Sequence, residues 1–370
     1  MIPRGLYIHV PFCSRKCDYC AFHSVTEWTQ IGMRRIVDAI LGDIDAISPD
    51  LAAVSTLYVG GGTPTVLDPS SLASLIAAAR RSAPIDEITV EANPESATTH
   101  LDTLAASGVT RLSVGVQTLE PRASRELGRR LTSVSEIERI RARWSGDLSV
   151  DLIHGAPGET RVGFLGAIDK LVAIGVDHVS VYGLGVEPGT PLASRVSGGV
   201  TRVPVVDEYW DTIVSRLESH GLRRYEVSNF ARPGAECAHN QNYWRGEGYI
   251  GLGPSAVTTM TLASEVVRLT QPPDHAAFLA RRHVFDCDRE TLTSDELRLE
   301  ALMLGLRTRE GLDLERVFDG LANEQRSALD AAIELESRRG NVLRSGRTLY
   351  PTDRGLDLLD RVVTDLAGAI

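Results

Sequence analysis

Three cysteines near the start of the chain have the spacing of an iron–sulfur site. Cys13, Cys17 and Cys20 follow the apolar run 6–10 and form a C-x3-C-x2-C pattern. A [4Fe–4S] cluster has four irons and is normally held by four thiolates. Because no fourth cysteine lies nearby, one iron would stay open to another ligand. The pattern therefore predicts a cluster that takes part in chemistry and does not only transfer electrons.

Two other interpretations of these cysteines stay open on the residue pattern alone. A structural zinc site usually has four protein ligands, so the triplet would need His9 or His23 to complete a tetrahedron. Buried structural cysteines would be expected among apolar neighbours, whereas the loop sequence here is SRKCD. The remaining two cysteines, Cys237 and Cys287, lie far along the chain, and we interpret Cys237 as an inert thiol.

Composition and charge indicate a soluble cytoplasmic protein. The 370 residues are 43% hydrophobic, enough for a large domain with one or two smaller ones. Only six residues precede Tyr7, so we expect no secretory signal, and no segment approaches the roughly 18 apolar residues of a membrane helix. Five cysteines do not make a disulfide framework, and clustered thiolates suit a reducing compartment. The net charge of −10 argues against nucleic acid as a partner.

Short apolar segments alternate with helical stretches over the first half of the chain. Stretches 32–47, 70–80 and 162–174 have the period of amphipathic helices, and this alternation is typical of βα units around a parallel sheet. Six such units predict a partial (βα)6 TIM-like barrel, an α/β fold. The predicted strands are 6–10, 56–59, 87–92, 111–116, 148–153 and 178–182.

The second half of the chain has a different pattern. A helix is predicted over 207–220 and a strand over 224–227, followed by the irregular stretch HNQNYWRGEGYIGLGPSA. A helix over 294–307, a hairpin over 341–350 and a helix over 353–366 predict a winged-helix-like domain. The domains are then a barrel over 1–195, a small α+β region closing it over 196–288, and the winged-helix-like domain over 289–370.

The C-terminal domain is interpreted as structural. Residues 290–370 contain 11 Arg, no Lys and 16 acidic residues, which is the wrong charge balance for binding DNA.

Each predicted strand is followed by a polar or glycine-rich signature, and in an α/β barrel these signatures meet at one mouth. An iron with a vacant position can chelate the amino and carboxylate groups of S-adenosylmethionine. The glycines at 60–62 would let backbone groups approach the methionyl part closely, and carboxylates on neighbouring strands can bind ribose hydroxyls. The signatures are the cysteine loop, Gly60–Pro64, Glu91–Pro94, Gly115–Gln117, Asp151–Gly155 and Glu187–Thr190.

Together these motifs resemble the radical S-adenosylmethionine enzymes of the oxygen-independent coproporphyrinogen III oxidase group. The resemblance covers nearly the whole chain, through YIHVPFCSRKCDYC, GGGTPT, VEANPE, RLSVGVQTLE, DLIHGAPGET and HVSVYGLGVEPGT. It implies that Cys13, Cys17 and Cys20 ligate a [4Fe–4S] cluster. It also implies a set of S-adenosylmethionine-binding positions: Tyr7, Gly61, Gly62, Thr63, Glu91, Gln117, Arg129, Asp151 and Gly185.

Three features indicate the HemW-like branch of this group, whose members are haem chaperones. The oxidases carry a further cysteine two residues after the third ligand, where this chain has Phe22, and they have a longer N-terminus. The segment His239–Trp244 matches the HNxxYW signature of the branch. The resemblance implies that His239 binds haem as an axial ligand, with Tyr243 and Trp244 in support.

The function implied is to bind haem and to pass it to haem-requiring proteins such as membrane respiratory enzymes. Two alternatives remain at this point. One is oxidative decarboxylation of coproporphyrinogen III to protoporphyrinogen IX through a 5′-deoxyadenosyl radical, and the other is radical alkylation or methylation of a tetrapyrrole-like substrate. Whether the protein is an enzyme, and whether it forms a homodimer, stays open.

Overall fold

The centre of the fold is a run of six parallel strands that pair in chain order. It is seen in a computed structural model of the protein, which describes residues 1–203 and 209–370. All six strands fall on the apolar segments predicted from the sequence. Strands β1 to β6 are Pro3–Val10, Thr56–Gly61, Glu87–Ala92, Arg111–Gln117, Asp147–His154 and His178–Gly183.

Helices connect these strands and pack their apolar faces on the sheet. In the first helix the buried residues Met33, Ile36, Val37, Ile40 and Ile44 recur every three or four positions, which places them on one face. The Thr29 side chain accepts from the backbone N–H of Gly32 at 3.0 Å and so fixes the start of that helix. Helices α1 to α8 are Gln30–Ala46, Pro69–Ser82, Pro94–Ala97, Leu101–Ala106, Pro121–Glu126, Val134–Arg143, Arg161–Ile174 and Pro191–Ser197.

Residues after the barrel extend the same sheet at both edges. The added elements are α9 Trp210–Ser219, β7 Arg223–Arg224, β8 Asn229–Ala231, α10 Ala238–Trp244, β9 Gly248–Leu252, β10 Val257–Leu262, β11 Glu265–Thr270, α11 His275–Ala280 and β12 Asp288–Thr291. Within the described residues the sheet has twelve strands, in the order β12-β11-β10-β9-β1-β2-β3-β4-β5-β6-β8-β7. Strand β9 is parallel to β1, whereas β8 is antiparallel to β6.

Two predictions in this region differ from the structure. The predicted strand over 224–227 is wrong, because the chain turns between the short strands β7 and β8 and Glu226 bridges to Thr308 instead. The helix predicted over 207–220 begins at Trp210 in the described part, and positions 207 and 208 lie outside the described residues.

The C-terminal residues form a unit with its own apolar core. Leu302, Leu329, Ile333, Leu349 and Leu366 belong to this second core cluster. The helix predicted over 353–366 is divided at Leu358 into two helices. The elements are α12 Ser294–Gly305, β13 Leu312–Asp313, α13 Glu315–Phe318, α14 Asn323–Arg338, β14 Val342–Ser345, β15 Thr348–Pro351, α15 Asp353–Asp357 and α16 Leu359–Ala367, and the three strands form a small antiparallel sheet.

Among the described residues, no helix combines the length and the apolar character needed to cross a bilayer.

Candidate functional site

The loops at the carboxyl ends of the parallel strands surround a cavity of about 530 Å³. The cavity brings together eleven of the thirteen residues that the sequence motifs single out. They are Cys13, Cys17, Cys20, Gly61, Gly62, Thr63, Glu91, Gln117, Arg129, Asp151 and Gly185. Segments from six different strands therefore converge on one space, as the barrel prediction requires.

The cysteine loop is held in place by its own backbone. The N–H of Cys13 donates to the carbonyl of Val25 at 3.0 Å, and the indole of Trp28 donates to the carbonyl of Cys13 at 3.0 Å. The Cys13 sulfur lies 3.7 Å from the Thr63 hydroxyl, which ties the loop to the glycine segment after β2. Burial, together with the neighbouring thiols of Cys17 and Cys13, raises the pKa of Cys20. An added positive charge, such as iron, would favour the thiolate forms of this set.

Arg129 lies against the cysteines from the opposite wall. Its Nη1 donates to the Cys17 sulfur at 3.3 Å, while its Nη2 donates to Asn93 Oδ1 at 2.9 Å and to the Gly115 carbonyl at 2.7 Å. The guanidinium therefore makes three hydrogen bonds inside the cavity and does not extend into solvent. It supplies a fixed cation next to a sulfur that would carry negative charge on binding iron.

The cysteines suit a cluster better than a single ion. Among the described residues, no group of three or more His, Cys, Asp or Glu side chains converges closely enough to bind one metal ion. In a cuboidal cluster each thiolate binds a different iron, so the three sulfurs need not converge. Of the two histidines that could complete a zinc site, His9 is already engaged, because its Nε2 bonds the carbonyl of His23 at 2.9 Å and its Nδ1 bonds the Tyr7 hydroxyl at 3.1 Å. Nε2 of His23 has no hydrogen-bond partner among the described residues.

The glycine segment after β2 lets the chain pass close to β1 and β3. Gly61 has a φ of +110°, and a Cβ there would lie 2.7 Å from the ring of His9. A Cβ on Gly62 would lie 2.6 Å from the carbonyl oxygen of Phe12. Any side chain at these positions would displace the end of β1 and the cysteine loop that follows it.

Glu91 is the carboxyl group at the centre of the cavity wall. Its Oε1 accepts from the Tyr58 hydroxyl at 2.8 Å and its Oε2 accepts from the Gly61 N–H at 3.2 Å. Burial raises the pKa of Glu91 to about 7, with a further rise from the nearby Asp151, against the lowering effect of the Tyr58 hydrogen bond. Glu91 can therefore bind a hydroxyl group either as an acceptor or, when protonated, as a donor.

The neighbouring strands contribute Asp151 and Gln117. Asp151 accepts from the Ser113 hydroxyl at 3.1 Å, and burial raises its pKa above the usual range. Gln117 has a φ of +63°, an unfavourable conformation for a residue other than glycine, and it sits where the pairing of β4 with β5 shifts register. Such strain at a cavity wall fits a residue that is positioned for binding.

Tyr7 and His239 are the two predicted site residues that do not line the cavity among the described residues. Tyr7 is packed in the barrel, where burial and the nearby Glu91 raise its pKa well above the usual value. The ring of His239 lies beside Thr56 and Gly5, at the amino ends of β2 and β1, opposite the mouth.

Both ring nitrogens of His239 are engaged in hydrogen bonds. Nδ1 lies 2.8 Å from the Thr56 hydroxyl and Nε2 lies 3.1 Å from the Tyr243 hydroxyl. Burial lowers the pKa of His239 to about 3, so the imidazole is neutral. Trp244, in turn, packs under the guanidinium of Arg307 at 4.5 Å from the ring centre. In this conformation the HNxxYW segment therefore anchors α10 against the amino end of the barrel.

Cys237 lies at the floor of the cavity, beside α10. Its thiol lies 3.6 Å from Glu87 Oε1, and burial raises its pKa to about 12. The group stays a neutral thiol at physiological pH.

Sequence reasoning assigned no role to Tyr58, which donates to Glu91, or to Asn93, which lies in the Glu91–Pro94 signature and accepts from Arg129. Both are polar residues in or directly after an apolar strand, a signal that could have identified their roles. Phe22 occupies the position where the oxidases have a further cysteine. It lines the mouth with 72% of its surface exposed.

The family model of the Radical SAM superfamily matches residues 7–184, which include strands β2 to β6 and the second half of β1. Over 381 aligned residues the chain is 36% identical to the protein named Heme chaperone HemW from Mycobacterium tuberculosis H37Rv, covering 99% of this chain and 95% of that one. The chain belongs to the HemW family. A HemW protein of Bacillus subtilis is 30% identical, with 95% of this chain and 96% of that one aligned.

Among solved structures, the fold is similar to that of HemN from Escherichia coli, which is described as a coproporphyrinogen III oxidase and a radical SAM enzyme. The TM-score is 0.82, with 100% of this chain and 91% of that one covered, at 21% identity. At 21% identity this similarity establishes the fold alone. Membership of the family rests on the HemW relatives.

Proposed function

We propose that this protein binds haem and passes it to haem-requiring proteins. The observation that carries the proposal is its similarity, over 99% of the chain, to proteins named haem chaperones. We further propose that it works in the cytoplasm and that its acceptors include membrane respiratory enzymes.

The cavity supports two resident cofactors in this proposal. Cys13, Cys17 and Cys20 would hold a [4Fe–4S] cluster, which when bound supplies an iron with an open coordination position. The residues around the Arg129 guanidinium and the Glu91 carboxyl would bind S-adenosylmethionine. Thr63, Gly61, Gly62, Gln117, Asp151 and Gly185 would complete the walls of that site, and Tyr7 would support it from behind through the barrel interior.

From the HNxxYW motif we propose His239 as the axial haem ligand. In this role the residue would need a conformation different from the one described above. One of its two ring nitrogens would have to give up its hydrogen bond, to Thr56 or to Tyr243, because a single nitrogen binds the iron. The ring is also buried against the amino ends of β1 and β2, so haem ligation by His239 requires α10 to move away from them.

We also propose a domain organisation in which the later parts of the chain support the cavity. We assign residues 1–195 to the partial barrel, 196–288 to the region that closes it and 289–370 to a winged-helix-like structural domain. Ion pairs such as Arg224–Asp357, at 2.6 Å, join the C-terminal unit to the region before it.

The test is to add haem and coproporphyrinogen III, separately, to anaerobically reconstituted protein with S-adenosylmethionine. We expect a Soret band that saturates at a single haem per chain, transfer of that haem to haem-depleted respiratory membranes, and no protoporphyrinogen. Rapid formation of protoporphyrinogen without haem binding would overturn the proposal and favour the oxidase.

A further inference from the structure

The rim of the cavity carries an exposed aromatic side chain that the cofactor site does not use. Phe22 follows the last cysteine by two positions and exposes 72% of its surface while lining the cavity mouth. A large apolar side chain held in water at the entrance of a deep cavity is a common feature of a binding surface. The neighbouring Ala21 is also exposed and lines the same rim.

Two cations flank this aromatic group. Arg15 and Lys16 are exposed, line the same rim, and form no ion pair with any described residue. The Lys16 ammonium donates to the backbone carbonyl of Phe22 at 3.2 Å, so the charge is held next to this residue. Across the mouth the rim carries one exposed carboxylate, Glu187, which leaves the exposed rim with a net positive charge.

We propose that haem docks across this rim, with its macrocycle on Phe22 and its propionates on Arg15 and Lys16. The inference rests on the proposed haem-binding function, and it places haem at the mouth of the cavity instead of at His239, which lies at the opposite end of the barrel. Haem is a flat apolar ring with two carboxylates on one edge, so an exposed aromatic with adjacent cations is complementary to it in shape and charge. Unlike His239, these groups need no rearrangement to meet a ligand.

Chemical labelling can locate haem without any substitution. The chain has only two lysines, Lys16 and Lys170, and both are exposed. Lys170 lies on α7, outside the cavity lining, and serves as an internal control. We expect haem to protect Lys16 from an amine-reactive reagent, read by peptide mass spectrometry, and to leave labelling of Lys170 unchanged. Equal labelling of Lys16 with and without haem would overturn the rim site.

Substitutions test the two parts of the surface separately. Phe22→Ser should weaken haem binding about tenfold or more, because it removes the apolar contact between the aromatic ring and the haem macrocycle. The double variant Arg15→Glu, Lys16→Glu should weaken it as well, with a steeper loss at low salt. The controls are Leu343→Ser, an exposed apolar residue of β14 with 61% of its surface accessible, and Lys170→Glu.

The outcomes of these experiments distinguish failure of the rim site from failure of the proposed function. If the wild-type protein binds no haem, the proposed function fails and the rim site with it. If it binds haem and His239→Ala abolishes binding while the rim variants bind as the wild type does, haem binding stands and the rim site is wrong.

Discussion

The guanidinium of Arg129 contacts the sulfur of Cys17 at 3.3 Å, across 112 positions of sequence. The same group donates to Asn93 and to the Gly115 carbonyl, so three segments of the cavity wall depend on a single buried cation. From the sequence LGRRL alone, an arginine at this position looks like a solvated residue near a helix end. Its neighbour Arg130 does lie at the surface and pairs with Glu136.

Arg129→Met should therefore destabilise the protein without cofactors by about 2–4 kcal/mol, because it leaves buried acceptors without a donor. Urea denaturation of the cluster-free protein measures this change. Arg130→Met is the matched control and should shift the unfolding free energy by less than about 1 kcal/mol. Equal effects of the two substitutions would show that the hydrogen bonds of Arg129 add nothing to the free energy of unfolding beyond what a surface arginine adds.

Cys17→Ala should abolish the brown absorption of the cluster and the content of about four irons per chain after anaerobic reconstitution. Each thiolate would bind its own iron, so the loss of one would leave a second iron without a protein ligand. Cys287→Ala, remote from the cavity lining, should reconstitute fully. A complete cluster in Cys17→Ala would refute the ligand assignment.

Glu91→Ala should keep the cluster and weaken S-adenosylmethionine binding by about 1.5–3 kcal/mol, the scale for losing a hydrogen bond to a charged group. Calorimetric titration of the reconstituted protein gives the affinity. Glu95→Ala, which removes a half-exposed carboxylate that pairs with Arg130, should bind as the wild type does. Unchanged affinity in Glu91→Ala would remove this carboxyl from the site.

The raised pKa of Glu91 should also be visible in the pH dependence of the protein's stability. This pKa is about 7 in the folded protein, above the 4.5 that is ordinary for a glutamate, so between these values the folded state binds more protons than the unfolded state. The free energy of unfolding contributed by this group should fall as pH rises through that window, by on the order of 3 kcal/mol in total. Glu91→Gln should remove this component, measured by urea denaturation from pH 5 to pH 8. An identical slope in both proteins would contradict the raised pKa.

His239→Ala should destabilise the protein by about 2–4 kcal/mol, because it removes a buried ring with two hydrogen bonds at the amino end of the barrel. Tyr243→Phe removes one of those bonds and keeps the imidazole, so it should lose only about 1 kcal/mol. Thermal and urea unfolding of the two variants measure the difference. A His239→Ala protein as stable as the wild type would show that α10 is not anchored through this ring.

Much of the architecture could be predicted because its causes are local. Apolar runs with β-branched residues identified all six parallel strands, and signatures after each strand identified most of the cavity wall. The strand predicted over 224–227 failed because Glu226 pairs with Thr308, a contact that depends on the distant C-terminal unit. The position of His239 likewise depends on which end of the barrel α10 reaches, and residue types do not encode that.

The cavity has its exposed lining residues at one end. Within the described residues these all lie in the β1 loop and from Tyr182 to Glu187, whereas Thr89, Arg111, Ser149 and Cys237 at the opposite end are buried. Two ligands that bind in such a cavity would enter and leave through the same opening. S-adenosylmethionine would have to enter before another ligand covers the mouth, and it could leave only after that ligand has gone. Loading and release would then follow a compulsory order, in which the last ligand to arrive is the first to depart.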